Sequence, residues 1–124
     1  MTYLEYKKQI EFGEYEYDKI NEYCHSLGID WSVSVWDIDS VHFIKKYKYD
    51  IPFIKIPSAC ITNIDLLKEV DKLQIPVIIS GGMSTLEEII IATSYLSNLY
   101  GLLHCNSSYP SNEAEIDLDV IFTY

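Results

Sequence analysis

The sequence contains no arginine. Nine lysines stand against 19 acidic side chains in 124 residues, a formal charge of −10. Sequence-independent nucleic-acid binding needs a basic face that neutralises phosphates, so no nucleic-acid partner is expected. A small anion is not excluded, because backbone N–H groups and a well-placed lysine can hold one locally. No apolar run approaches the roughly 20 residues that span a membrane, so no membrane partner is expected either. The opening MTYLEYKKQIEFGEY lacks the apolar stretch of a secretory signal, and cytoplasm is the expected compartment. Cysteine is scarce. Cys24, Cys60 and Cys105 are odd in number and form no C-x-x-C pair, which argues against a disulfide framework or a zinc site and for buried free thiols. Linkers, low-complexity tracts and internal repeats are missing. So are G-x-S-x-G, H-E-x-x-H, the Walker loop and G-x-G-x-x-G.

What remains is ordinary globular composition, 48% hydrophobic and 23% charged, in a length that suits one domain. Four compact apolar runs recur: WSVSVW (31–36), PFIKI (52–56), PVIIS (76–80) and GLLHC (101–105). They lack strict polar alternation, as strands covered on both faces do. Helical spacing fills the intervals. Val41, Ile44 and Tyr47 or Lys48 mark 37–49; Leu66, Leu67, Val70 and Leu73 mark 62–73; Leu86, Ile89, Ile90, Thr93 and Leu96 mark 84–97. Ser84 with Glu87 reads as a capping box, and Asp37 and Thr62 or Asn63 suit the other helix starts. A further helix over 15–27 would turn Ile20, Tyr23, Cys24 and Leu27 inward and end at Gly28. One domain over 1–124 is expected: an N-terminal helical segment (1–28), then βαβαβαβ and a tail (31–124). Strand spacing of about 20–25 residues is the βαβ pattern of a parallel sheet. It fits an open doubly wound sheet or part of an eight-stranded β/α barrel.

Ligands bind at the carboxyl ends of such strands. Here those ends offer Ser34 and Trp36–Asp37; Lys55 and Ser58; Ser80, Gly81–Gly82 and Ser84–Thr85; and His104 through Tyr109. Hydroxyls, a lysine and paired glycines are what a phosphate or carboxylate needs. Caps and turns want serine and glycine as well. Lys55 is harder to explain that way, because an ammonium inside FIKIP must snorkel out or find an anion. His104 also suits a structural role, His25 and His42 sit in helical patterns, and the acids of 113–119 suit a solvated face.

Together, DIDSVHFI, PFIKIPSACITNIDLL, PVIISGGMSTLEEI and LLHCNSSYPSNEAEIDL resemble the sialic acid synthase family, the phosphoenolpyruvate-dependent enzymes that make N-acetylneuraminate and related nonulosonates. The resemblance implies an α/β fold: a partial (β/α) TIM barrel with about four parallel strands, the third to sixth of eight. It implies condensation of phosphoenolpyruvate with N-acetylmannosamine or a related N-acetylated hexosamine, assisted by a divalent metal, manganese or magnesium. By that resemblance Ser34, Lys55, Ser58, Ser80 and Ser107 match positions holding the phosphate or carboxylate of phosphoenolpyruvate, and Tyr109 matches one facing the sugar. His104 matches no metal ligand, and the implied ligands lie outside this chain.

Two departures stand out. Cys60 replaces an acid carried by some family members, and Gly81 replaces a frequent threonine, leaving its backbone N–H as the donor. The expected half-barrel has two open edges and an uncovered inner face. It would be a truncated piece, one subunit of a split enzyme, or a half that pairs with a copy of itself, and the ending at Tyr124 favours truncation. Three readings follow: the phosphoenolpyruvate-binding half of a synthase, inactive alone because the metal site is missing; a non-catalytic half-barrel or assembly module that binds an anion weakly or pairs with a complementary half; and a related synthase for a phosphorylated sugar. HCNSSYP and the lack of arginine argue against the last.

Overall fold

Runs of branched apolar residues cannot stand in water as single strands, and here they assemble side by side. The computed structural model describes residues 1–124, which divide into two compact units, Met1–Trp31 and Ser32–Tyr124.

The first unit holds α1 (Tyr3–Ile10) and α2 (Glu14–Leu27). Thr2 opens α1 with a capping box: the Glu5 amide donates to its hydroxyl, and its own amide donates to the Glu5 carboxylate. Gly28 ends α2 in the left-handed conformation, φ 65°, where no β-carbon is penalised. Trp31 Nε1 donates to Asn21 at 2.8 Å. The expected inward stripe of α2 holds only in part. Ile20 and Cys24 are half-buried, whereas Tyr23 is 66% exposed and Leu27 is also exposed. Within this unit no second layer exists to receive them.

The second unit contains β1 (Val33–Ser34), α3 (Ile38–Ile44), β2 (Ile54–Ile56), α4 (Ile64–Asp71), β3 (Val77–Ser80), α5 (Leu86–Thr93) and β4 (Leu99–Leu103). The four strands form one parallel sheet in the order β1-β2-β3-β4. Side chains alternate between its faces. Val35, Ile54, Ile56, Val77 and Ile79 form one buried layer, joined by Val41, Ile44, Leu66, Leu67, Val70, Ile89 and Ala92 from the helices. Burying a Leu or Ile side chain stabilises by about 1.5–3 kcal/mol. Register aligns Ser34, Lys55, Ile78 and Gly101 in one row of opposite parity.

The fourth strand and the start of α5 depart from the sequence expectation. The fourth strand is Leu99–Leu103, not 101–105, because its pairing starts against Val77 and ends with Ser80 opposite Leu103. His104 and Cys105 therefore lie beyond the ladder. Asp37 and Asn63 cap α3 and α4 as expected. The box on α5, however, is Thr85 with Glu88 rather than Ser84 with Glu87. Ser84 instead closes a turn onto the Gly81 carbonyl at 2.8 Å. Of the expected stripe, Ile89 and Leu96 are buried, with Ala92 beside them, whereas Leu86 and Ile90 are exposed. The three cysteines are free, but only Cys60 is buried, while Cys24 and Cys105 are half-buried. No helix is long and apolar enough to cross a membrane.

Leu67, fully buried on α4, should lose about 2–5 kcal/mol on replacement by alanine. Ile90→Ala on the exposed face should stay within about 0.5 kcal/mol. Urea unfolding of both variants separates the two faces, and equal losses would contradict the assignment. A second expectation concerns pH. Glu69 is held below the usual carboxylate range, first by its hydrogen bond from Lys72 and then by His42 at 3.1 Å across from α3. A depressed folded-state value gives stability that is full above the ordinary carboxylate range and lost as pH falls through the depressed one. Glu69→Gln should therefore show a shallower acid loss of stability; an unchanged acid limb would remove the pair from the account.

Candidate anion-binding site

The row of side chains opposite the helices carries the polar character of the sheet. Ser34 lies exposed at the end of β1, directly beside Lys55 on β2. Lys55 is half-buried between two fully buried isoleucines that point the other way. It forms no ion pair within the chain, so its ammonium is free to meet an external anion. Two residues beyond Ile78 on β3, Ser80 is 3% exposed. Its hydroxyl has no hydrogen-bond partner. An unpartnered buried hydroxyl costs about 1–3 kcal/mol, and an acceptor oxygen from a ligand would relieve it.

The loops complete the cluster. Ser58 begins a short turn immediately after β2. Gly82 follows β3 in the left-handed region, φ 42°, pressed against Ser58. A β-carbon on Gly82 would lie 2.4 Å from Ser58 Cβ, 2.5 Å from Ser58 Oγ and 3.4 Å from Ser107 Oγ. Glycine thus lets three loop ends meet and brings the hydroxyls of Ser58 and Ser107 together. Tyr109 is not drawn in. It precedes Pro110, and its side chain is 92% exposed.

The neighbouring groups are committed elsewhere. The Gly81 N–H, expected as a ligand donor, instead bonds the Leu103 carbonyl at 2.9 Å, because the sheet ladder extends one rung past β3. Asp37 accepts from the hydroxyl and amide of Ser40, which hold its carboxyl below the usual range. Cys60 directs its thiol to the Trp36 carbonyl, and burial, with Asp37 nearby, pushes that thiol up and away from thiolate character. His104 lies edge-on to Tyr124, with ring centroids 6.2 Å apart. Sequence reasoning missed that contact, and nothing in the spacing of 104 and 124 signals it. A cavity of about 420 Å³ lies beside it, lined by Leu103, His104, Asn106, Ile116, Leu118 and Ile121 among others.

A divalent cation does not fit this chain's residues. No three His, Cys, Asp or Glu side chains converge, and a lysine ammonium with serine hydroxyls is a donor set for an anion.

Parallel strands joined by crossover helices, with a hydroxyl-rich carboxyl end, have the architecture of part of a β/α barrel. The chain belongs to the NeuB family, which it matches over residues 1–124. It is 36% identical to N-acetylneuraminate-9-phosphate synthase of Drosophila melanogaster, across 97% of this chain and 33% of that protein. Identity to N,N'-diacetyllegionaminic acid synthase of Legionella pneumophila is 32%, across 98% and 36%. The chain therefore spans about a third of the curated relatives it matches. Among solved structures, N-acetylneuraminic acid synthetase from Leptospira borgpetersenii, in complex with citrate, superposes with a TM-score of 0.83 at 32% identity, covering 91% of this chain and 40% of that one. A truncated 3-deoxy-D-arabino-heptulosonate 7-phosphate synthase from Thermotoga maritima shares the fold alone, with a TM-score of 0.61 at 21% identity over 71% of this chain and 33% of that one. The four-stranded sheet is thus a partial barrel, as the sequence resemblance implied.

The glycine contacts give a direct test. Gly82→Ala must both hold a left-handed backbone and displace Ser58, and should lose about 1–3 kcal/mol or more. Gly28→Ala shares the positive φ but meets nothing within 4 Å, so only the torsional cost of about 1–2 kcal/mol applies. Thermal unfolding compares them; an equal or smaller loss at Gly82 would deny the close approach.

Proposed function

We propose that this chain supplies the phosphoenolpyruvate-binding part of a sialic acid synthase-type enzyme, which condenses phosphoenolpyruvate with N-acetylmannosamine or a related N-acetylated hexosamine. The carrying observation is the meeting of Ser58 and Ser107 at Gly82, beside a sheet face that holds an unpartnered lysine and an orphaned buried serine hydroxyl. Family membership and the names of the relatives support the same reading.

On this reading the Lys55 ammonium and the hydroxyls of Ser34, Ser58, Ser80 and Ser107 bind the phosphate and carboxylate, neutralising charge and fixing the enol in place. Its C3 then bonds to the sugar aldehyde carbon, whose oxygen takes a proton. Water adds at C2, and phosphate leaves. Tyr109, exposed in this chain, would face the acceptor sugar. The manganese or magnesium of the complete enzyme would take its ligands from residues outside this chain.

Calorimetric titration of phosphoenolpyruvate into the wild-type chain and Lys55→Ala tests the assignment. Affinity should fall about tenfold or more in the variant, as loss of a charge-assisted contact does. Equal affinities would remove Lys55 from the site. The chain alone should release no inorganic phosphate from phosphoenolpyruvate and N-acetylmannosamine; turnover by it would contradict a metal site located elsewhere.

A second reading has its own observation. β1 and β4 are edge strands of an open sheet, and Leu103 is exposed on β4. Such an edge pairs readily with another. A non-catalytic half-barrel would close against a copy of itself or a complementary half. Sedimentation would show assemblies larger than 14.4 kDa that persist without phosphoenolpyruvate, and calorimetry would show no ligand heat.

A further inference from the structure

The loop that presents Ser107 has little holding it to the sheet. β4 pairing ends at Leu103, whose carbonyl receives the Gly81 N–H. Within the loop, the Ser108 amide donates to Asn106 Oδ1 at 2.8 Å, and the Ser111 hydroxyl donates to the Ser108 carbonyl. These contacts shape the loop without anchoring it. Besides the approach of Ser107 to Gly82, two longer-range contacts supply anchors, and both belong to the last segment of the chain. Asn106 Nδ2 donates to the Glu115 carbonyl at 3.3 Å. The His104 ring meets the Tyr124 ring edge-on.

That segment is itself organised as two short capped turns. Asn112 accepts from the Ala114 amide and Asp117 from the Asp119 amide. The Thr123 and Tyr124 amides then both close onto the Val120 carbonyl. Between the segment and β4 lies the cavity that Leu102 and Leu103 line from one side and Ile116, Leu118 and Ile121 from the other. The segment therefore stands off the strand, and its far end must find its own seat.

The seat is Gly81. Tyr124 Oη lies 2.9 Å from where a Gly81 β-carbon would sit, with Ile89 Cδ1 3.1 Å away on the same point. Gly81, unlike Gly82, has no left-handed backbone, so space rather than torsion accounts for glycine there. Gly82 is the next residue, and it is the one against which Ser58 and Ser107 lie.

We infer that Tyr124 is a positioning residue. Its hydroxyl seats in the notch at Gly81, its ring props His104, and the brace so formed sets the loop that carries Ser107. The brace stands on these contacts alone. Its effect on ligand rests on the phosphoenolpyruvate reading above.

The test uses the whole chain with three variants: Gly81→Ala, Tyr124→Ala, and Gly81→Ala combined with Tyr124→Phe. Amide hydrogen exchange is read over residues 104–108, with the amides of β2 and β3 as the control for folding. Gly81→Ala should unseat the hydroxyl and speed loop exchange about tenfold, as local opening does. Tyr124→Ala should do the same. Removing the hydroxyl in the double variant clears the notch, and slow exchange should return because the phenyl ring still reaches His104. Unchanged loop exchange in Gly81→Ala, or no recovery in the double variant, overturns the brace. Should Gly81→Ala fail to fold, fast loop exchange in Tyr124→Ala with a protected sheet supports it, and wild-type exchange there overturns it. Phosphoenolpyruvate titration of the same proteins should follow the exchange pattern. If exchange responds but no protein binds phosphoenolpyruvate, the brace stands and the ligand reading fails.

Discussion

An ammonium group beside fully buried isoleucines is the constraint on which this molecule turns. Lys55 lies between Ile54 and Ile56, both with no accessible surface. A lysine there is tolerable only because strand alternation sends its side chain to the face opposite the helices. A one-residue slip of β2 would drive the charge into the layer of Val41, Leu66 and Val70. Burying an unpaired ammonium is far more costly than losing one apolar contact. The same alternation that protects the core therefore fixes the register. That register sets Ser34 beside Lys55 and puts Ser80 two residues past Ile78. Core and candidate site follow from one parity.

That coupling explains what could be read from the sequence. The four strands, the three crossovers and the strand-end residues were legible because apolar runs and helical stripes are strong local signals. Lys55 was legible because a charge inside an apolar run conflicts with its surroundings. Ends of elements were less so. STLEE contains two overlapping capping frames, and only the turn closed by Ser84 onto Gly81 decides for Thr85. GLLHC shows no reason to stop at Leu103, because the stop is set by where β3 ends rather than by β4 itself. Tyr23 and Leu27 read as inward from spacing alone, but burial needs a partner layer that no periodicity reports.

The adjacent glycines show how far residue type carries and where it fails. Both read from the sequence as places where backbone comes close to a ligand. In the structure they do different work. Gly82 takes a left-handed turn and lets Ser58 and Ser107 close on it, while Gly81 spends its N–H on the sheet and leaves a notch filled by Tyr124. The second role depends on a residue 43 positions away by the numbering, and long-range contacts of that kind leave no mark in local pattern.

Charge raises the last question, since a chain of net charge −10 is an unpromising host for an anion. The resolution is local. Exposed charges are screened by physiological salt over about 8 Å, while groups in direct contact with a ligand act strongly. Asp37, near that face, is already engaged by two donors from Ser40. Cys60 offers a thiol whose ionisation burial opposes, so it adds no negative charge beside Ser58. The candidate site thus keeps one positive group, Lys55, and several neutral hydroxyl donors.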